Sequence, residues 1–385
     1  MFGDKKTTWL FYTFVFLFTL HITPAIYINS NFLAQYMSTG YVSLIYTVAS
    51  IGTILAILGM RARLKRFGNY KVFVTSLVIE VAALLLLIIS DSALPAIIAF
   101  ITLFISHSTT FISLDIFLER NTPNVSTGTV RGWFFTALNS AFIVGPFLSS
   151  ILLTGGNLKY VYVFVLVLLF PIIFMASELF KNFEDAPYDK VKIMSAYKKL
   201  NTNVDVYSTI MSDFVLRFFY GWMIIYVPIY LHEYQGFSLS EVTLILSVAL
   251  IPFILIQGFA GKLADKKYGE KEMLTIGFIT MAIFTALLAF VDSPNASVWI
   301  AILFMTRVGA AMVEIMTETH LFKRVDSGDV NIISIYRISR PVAYILGTLL
   351  GTIFLYIVSF NMLFFILGGI VLYGIRYSLA LTDTK

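Results

Sequence analysis

The sequence predicts an all-α membrane protein: twelve transmembrane helices arranged as two pseudo-repeated six-helix bundles. Three observations carry this. Apolar stretches of about 20 residues recur along the chain, each long enough to cross a hydrocarbon core of about 30 Å. The composition is 58% hydrophobic and only 13% charged, too little charge to cover a soluble domain of this length, so the apolar surplus must face lipid. The basic residues collect on one side of the alternating stretches, as the positive-inside rule requires.

The predicted helices 1 to 6 cover residues 9–29, 41–62, 70–90, 93–118, 131–154 and 158–180. Helices 7 to 12 cover 205–232, 240–264, 271–291, 296–322, 331–356 and 359–380. The first follows Lys5 and Lys6 and runs from Trp9 to about Ile28. It is long enough to span and lacks a small-residue cleavage site, so it is read as a retained helix rather than a signal peptide. Pro24, Pro146, Pro171, Pro228, Pro252 and Pro341 lie within spans, where neighbouring helices satisfy the backbone groups they free. The longest connection, residues 181–204, contains FEDAPYDKVKIMSAYKKL. It is polar and partly amphipathic, and reads as a linker on the cytoplasmic surface. It separates an N-terminal bundle, 1–180, from a C-terminal one, 205–385.

With the N-terminus inside, 22 of the 27 Lys and Arg residues fall on the cytoplasmic side. Lys159 lies opposite, and Arg217, Arg307, Arg337 and Arg340 lie within spans. Both termini are therefore expected in the cytoplasm of an inner-membrane, multi-pass protein. The sequence pI near 9.1 follows from topology, and no nucleic-acid partner is expected. The chain has no cysteine, which excludes disulfides and thiol-based metal sites. No GxxxxGK[ST] signature is present, so direct ATP drive is not expected. Nor is there the clustered nucleophile or catalytic loop that an enzyme acting on lipid-linked substrates needs. No cofactor is implied.

The two halves align at an offset of about 200 residues, as the parallel six-helix repeats of one recurrent transporter plan do. Leu58–Gly68 reads LGMRARLKRFG and Gly258–Gly269 reads GFAGKLADKKYG, each joining the second and third helix of its half. Helix 4 ends with Asp115 and Glu119, helix 10 with Glu314 and Glu318, while Gly145 and Gly347 lie in mid-span of helices 5 and 11.

GKLADKKYG, Gly261–Gly269, resembles the loop signature of the major facilitator superfamily. The resemblance implies a twelve-helix secondary transporter in which Gly261 allows close helix approach. It also places Asp265 and Lys266 in a charge network that latches the cytoplasmic side, with Gly269 closing the motif. In the first-half copy Met60 and Leu64 stand where Gly and Asp would be, and Lys65, Arg66 and Gly68 are kept. Gly145-Pro146 is similar to a fragment of the Gly-Pro signature of antiporter branches, without its flanking glycines.

Charges inside the hydrocarbon region cost on the order of 2.5–3.5 kcal/mol each on insertion scales, so each needs a reason. Helix 10 carries Arg307, Glu314 and Glu318 on one face, and helix 11 carries Arg337 and Arg340 one turn apart. A short loop makes the two helices antiparallel neighbours, so Glu314 and Glu318 are expected to meet Arg337 and Arg340. On helix 4, His107, Phe111, Asp115 and Glu119 share a face, and Arg131 opens helix 5. These groups are either ion pairs that close the cytoplasmic gate, or carboxylates that take up a proton when an Arg partner moves away. Glu80, without an obvious partner, is a further proton-site candidate. His21 and His320 have no metal-ligand companions at suitable spacing, and no metal site is expected.

Asp213 and Arg217 stand at i and i+4 on helix 7 and can neutralise each other. By the resemblance, helices 1, 4, 7 and 10 line the cavity, so the pair is also placed against substrate. Tyr27, Asn31, Asn139, Tyr220, Trp222 and Gln257 complete the candidate cavity set. Aromatic walls with few fixed charges suit amphipathic solutes. The function expected is proton-coupled export of small amphipathic molecules by alternating access, from a monomer in the lipid bilayer. A nutrient importer or uniporter of the same fold is the alternative. Another is a degenerate transporter that acts as a membrane sensor or assembly partner.

Overall fold

A computed structural model describes residues 5–121, 127–185, 203–264, 269–324 and 330–383. Among these residues, twelve helices are long and apolar enough to cross a membrane. In the first half, spans 1 to 6 are Trp9–Ala34, Thr39–Phe67, Asn69–Ile89, Ala93–Leu118, Thr136–Gly155 and Lys159–Phe180. In the second half, spans 7 to 12 are Val204–Tyr234, Leu239–Ile256, Glu270–Phe290, Ala296–Leu321, Ile338–Leu355 and Met362–Leu379. Helical hydrogen bonding within a span keeps its peptide groups paired away from lipid. The helices of spans 2 and 10 continue past their apolar cores to Phe67 and Arg324, through Lys65, Arg66 and Lys323 in their last turns. Basic residues there interact favourably with the exposed carbonyls of the helix end.

The chain divides into two compact units, Met1–Lys190 and Val191–Lys385. Of the expected linker, residues 186–202 lie outside the described residues. Within the first unit, span 1 packs on spans 5 and 6, span 4 on spans 2 and 3, and span 3 on span 6. The second unit repeats this: span 7 against spans 11 and 12, span 10 against spans 8 and 9, span 9 against span 12. Spans 1 and 7 are the most enclosed, with 78% and 83% of their apolar windows buried, against 28% for span 6. Polar groups on spans 1 and 7 are thus removed from lipid.

Span 1 is not one continuous helix. It runs Lys5–Leu20, Thr23–Ile26 and Asn29–Ala34. Pro24 has no N–H to return to the carbonyl one turn back, and its ring crowds that carbonyl. The break is taken up by span 5: the Thr23 hydroxyl donates to the Ala141 carbonyl (2.9 Å), and the Ser149 hydroxyl donates to the Pro24 carbonyl (2.7 Å). Gly145 lies against the break, where any Cβ would meet Thr23, including its backbone carbon at 2.8 Å. This close approach accounts for the glycine of Gly145-Pro146 without reference to the direction of transport.

Each half also ties its second loop to its own end. Gly68 (φ 79°) and Gly269 (φ 100°) turn the chain in the left-handed region between two helices, which glycine enters without steric cost. The next helix then opens on a carboxylate from far along the half. The Asn69 N–H donates to Asp185 Oδ1 at 2.9 Å, and the Lys271 N–H donates to Asp383 Oδ1 at 3.0 Å. A carboxylate at a helix N-terminus satisfies an orphan donor and complements the dipole. Asp185→Ala and Asp383→Ala should each lower stability by about 0.5–2 kcal/mol. The losses should add in the double variant, since the two caps lie in separate units. Thermal unfolding in detergent measures this; an unchanged midpoint in both single variants would show that the caps contribute nothing.

Candidate functional site

The second half holds a buried charge cluster centred on Arg217, which is 6% exposed. One helical turn of span 7 places Asp213 beside it, and the Arg217 Nε–H donates to Asp213 Oδ1 at 3.1 Å, with Nη2 3.0 Å from the same oxygen. From span 10, Glu314 Oε1 accepts from Arg217 Nη1 at 2.8 Å. From the helix Val330–Leu355, the Tyr336 hydroxyl donates to Asp213 Oδ1 (3.2 Å) and the Ser339 hydroxyl to Oδ2 (3.3 Å). One guanidinium thus bridges two carboxylates supplied by two spans.

Asp213 and Arg217 pair as their spacing predicts. Glu314 has a cation partner on span 7, beyond those expected on span 11. Sequence separation hid this partner, which lies 97 residues away. Arg340 is exposed and acts on Glu318 through space, together with Arg217, Glu314 and Asp213. The side chains of Arg337, Glu119, Arg131 and Gln257, and all of Asp265 and Lys266, lie outside the described residues. Gly261 falls in the helix Pro252–Leu263, Asp115 is half-buried on span 4, and Arg66 stacks on Phe67 at 5.1 Å.

Beside the bridge stands a second buried cation. Arg307 is 2% exposed, and its guanidinium lies 5.3 Å from the Phe219 ring centroid and 6.0 Å from that of Tyr220. Arg217 sits over the same Tyr220 ring at 5.6 Å. Cation–π contact satisfies part of a buried guanidinium, yet Arg307 Nε and Nη1 and the Tyr220 hydroxyl have no hydrogen-bond partner among the described residues. Burying donors in this way costs on the order of 1–3 kcal/mol per group. Sequence reading placed Arg307 within span 10 but gave it no role.

Of the remaining cavity candidates, Trp222 is fully buried and its Nε1–H donates to the Gly347 carbonyl at 2.6 Å. That bond ties span 7 to span 11. Asn31 is 4% exposed with neither amide atom bonded, so it keeps the hydrogen-bonding capacity expected of it. Tyr27 is buried and Asn139 half-buried.

In the first half, Glu80 is not alone. It is fully buried with Oε2 2.9 Å from His21 Nε2 and 3.4 Å from His107 Nε2. The Thr110 hydroxyl donates to its other oxygen at 3.1 Å. Spans 1, 3 and 4 each contribute one titratable group. The reading that His21 lacks companions is corrected here: its partner is 59 residues away, and only folding brings the two together. His320, by contrast, sits between Thr209 (2.7 Å) and the Thr382 carbonyl (3.1 Å), as a hydrogen-bonded helix histidine.

Against known proteins, the chain matches the family model of the Major Facilitator Superfamily over residues 8–325 and again over 209–382. No curated protein matches the sequence. Among solved structures, the chain is similar in fold to a point mutant of the nucleoside transporter NupG. The TM-score is 0.76 at 12% identity, over 97% of this chain and 99% of that one.

Proposed function

The chain belongs to the Major Facilitator Superfamily, a family of transporters rather than enzymes, and from that premise we propose that it couples solute movement to protons through the Arg217 bridge. Its substrate is a small molecule and its setting the bilayer. Both termini and the basic loop ends lie in the cytoplasm, as the distribution of Lys and Arg supports. Two six-helix domains joined by a cytoplasmic linker alternate access to one site.

The observation that carries the reading is the pairing of one shared guanidinium, Arg217, with a second whose donors are unpaired, Arg307. A proton on Glu314 removes the charge from one arm of the bridge and weakens its hold on the Nη1–H. Two guanidiniums and the Tyr220 hydroxyl then face an acceptor together, and a solute carrying a carboxylate or several carbonyl oxygens binds better. Loss of the proton restores the bridge and expels the solute. Proton and solute therefore favour the same state, which is the logic of symport. The expected lipophilic exporter is kept as a second reading, favoured by the aromatic surroundings Phe218, Phe219 and Tyr220. The nucleoside transporter of like fold makes uridine a suitable acceptor-rich probe.

Proteoliposomes loaded with a pH dye separate the two. Uridine or benzoate should enter with protons down an imposed inward proton gradient, and Arg307→Ala should reduce this at least ~10-fold, the effect of losing about 1.4 kcal/mol of binding. Ethidium leaving against the proton flow, with no proton-linked uptake of either acceptor probe, would replace symport by export.

A further inference from the structure

We propose that His21, Glu80 and His107 form a binding site for a first-row divalent transition metal of the zinc class, inside the first half and separate from the Arg217 bridge. Three ligating atoms, His21 Nε2, His107 Nε2 and a Glu80 carboxylate oxygen, lie within 4.8 Å of one another. They come from spans 1, 3 and 4. Two of the chain's four histidines are here, and no cysteine competes for the ion.

The hydrogen bonds around the cluster orient these atoms. His21 Nδ1 contacts the Phe18 carbonyl, which can only accept, so Nδ1 carries the hydrogen. In the neutral ring Nε2 then presents its lone pair to Glu80 Oε2, 2.9 Å away. Two lone-pair atoms this close in a buried site require a cation between them. A proton would serve that pair, but it would leave His107 Nε2 buried, 3.4 Å from the same oxygen and without a hydrogen bond. A metal ion satisfies all three atoms at once. Tetrahedral ligands at about 2.0–2.1 Å from zinc stand ~3.3 Å apart, close to the spacing of both nitrogens from Glu80 Oε2. Thr110, donating to Oε1, holds the carboxylate so that Oε2 faces the nitrogens. A carbonyl behind one histidine and a hydroxyl behind the carboxylate are the outer-shell partners that fix ligand geometry in metal sites.

Two His and one Glu leave a fourth position for water or a further ligand. The His107 side chain is 16% exposed while those of His21 and Glu80 are sealed, so His107 marks the way in. Binding would tie span 1, at its break, to spans 3 and 4.

The test uses the full chain purified in detergent, stripped with a chelator and dialysed against Zn²⁺ or Co²⁺. Wild type should retain about one ion per chain after desalting, show a Co²⁺ ligand-field spectrum of nitrogen and oxygen ligands, and gain thermal stability with Zn²⁺. His107→Ala, the change least disruptive to packing, should lose all three while staying monodisperse. Thr110→Val should weaken binding about 10–100-fold, the usual effect of removing an outer-shell partner. His320→Ala should bind as wild type. An ion count unchanged in His107→Ala, or no ion held by wild type, overturns the proposal. Neither result bears on proton-linked uptake through Arg217, which is measured separately.

Discussion

Arg217→Ala is expected to abolish transport and to cost roughly 3–5 kcal/mol of stability, the effect of removing one partner from a buried ion pair. The loss is large because two carboxylates, Asp213 and Glu314, depend on one guanidinium. Asp213 is fully enclosed and would keep only the Tyr336 and Ser339 hydroxyls. The companion variant Glu314→Gln separates folding from coupling. It keeps the shape and an acceptor for Arg217, so the thermal midpoint should hold while proton-linked uptake loses its dependence on the gradient. Thermal unfolding in detergent and dye-loaded proteoliposomes give the two readouts. If Arg217→Ala unfolds no earlier than wild type, the bridge is not a structural element and the mechanism built on it fails.

Gly145→Val is the second variant with a large expected effect. Its Cβ would be placed 2.8 Å from the Thr23 backbone carbon and 2.6 Å from Thr23 Cβ, and backbone cannot swing aside as a long side chain can. Overpacking of this kind costs about 1–3 kcal/mol. The displaced segment is the broken part of span 1, so Thr23 should also lose its bond to Ala141 and His21 its approach to Glu80. The expected result is a lower thermal midpoint together with loss of metal retention in the chelator-stripped preparation. Leu148→Val, on the same helix, is the control. An unaltered midpoint in Gly145→Val would mean that span 1 yields freely at Pro24.

The spans were legible from residue chemistry alone because the bilayer imposes a length and a hydropathy on each of them. The repeat was legible from the loops that end at Gly68 and Gly269. Asp213 and Arg217 were legible as a pair since the helix itself fixes i,i+4 neighbours. What the sequence hid were the partnerships between spans far apart in the chain. Glu314 bonds Arg217 on span 7, 97 residues away, a partner that loop lengths do not reveal. Glu80 looked solitary because His21 and His107 reach it only through the packing of spans 1, 3 and 4. Nothing in the chain announces that the Trp222 indole N–H bonds the Gly347 carbonyl, 125 residues away. Asp185 and Asp383 drew no notice at all, being ordinary polar residues beyond the last apolar positions of their halves.

Those two aspartates impose an order in time. Each cap joins a helix start to a carboxylate made much later, 116 residues on in the first half and 112 in the second. At synthesis rates of about 5–20 residues per second, that is a delay on the order of 5–25 s. Through that interval the Asn69 N–H has no access to the carboxylate that follows span 6. Each half therefore carries a late-closing clasp, because the carboxylate that caps its second loop is synthesised only after all six of its spans. A ribosome paused before Asp185 would hold a half-transporter whose basic loop is still open.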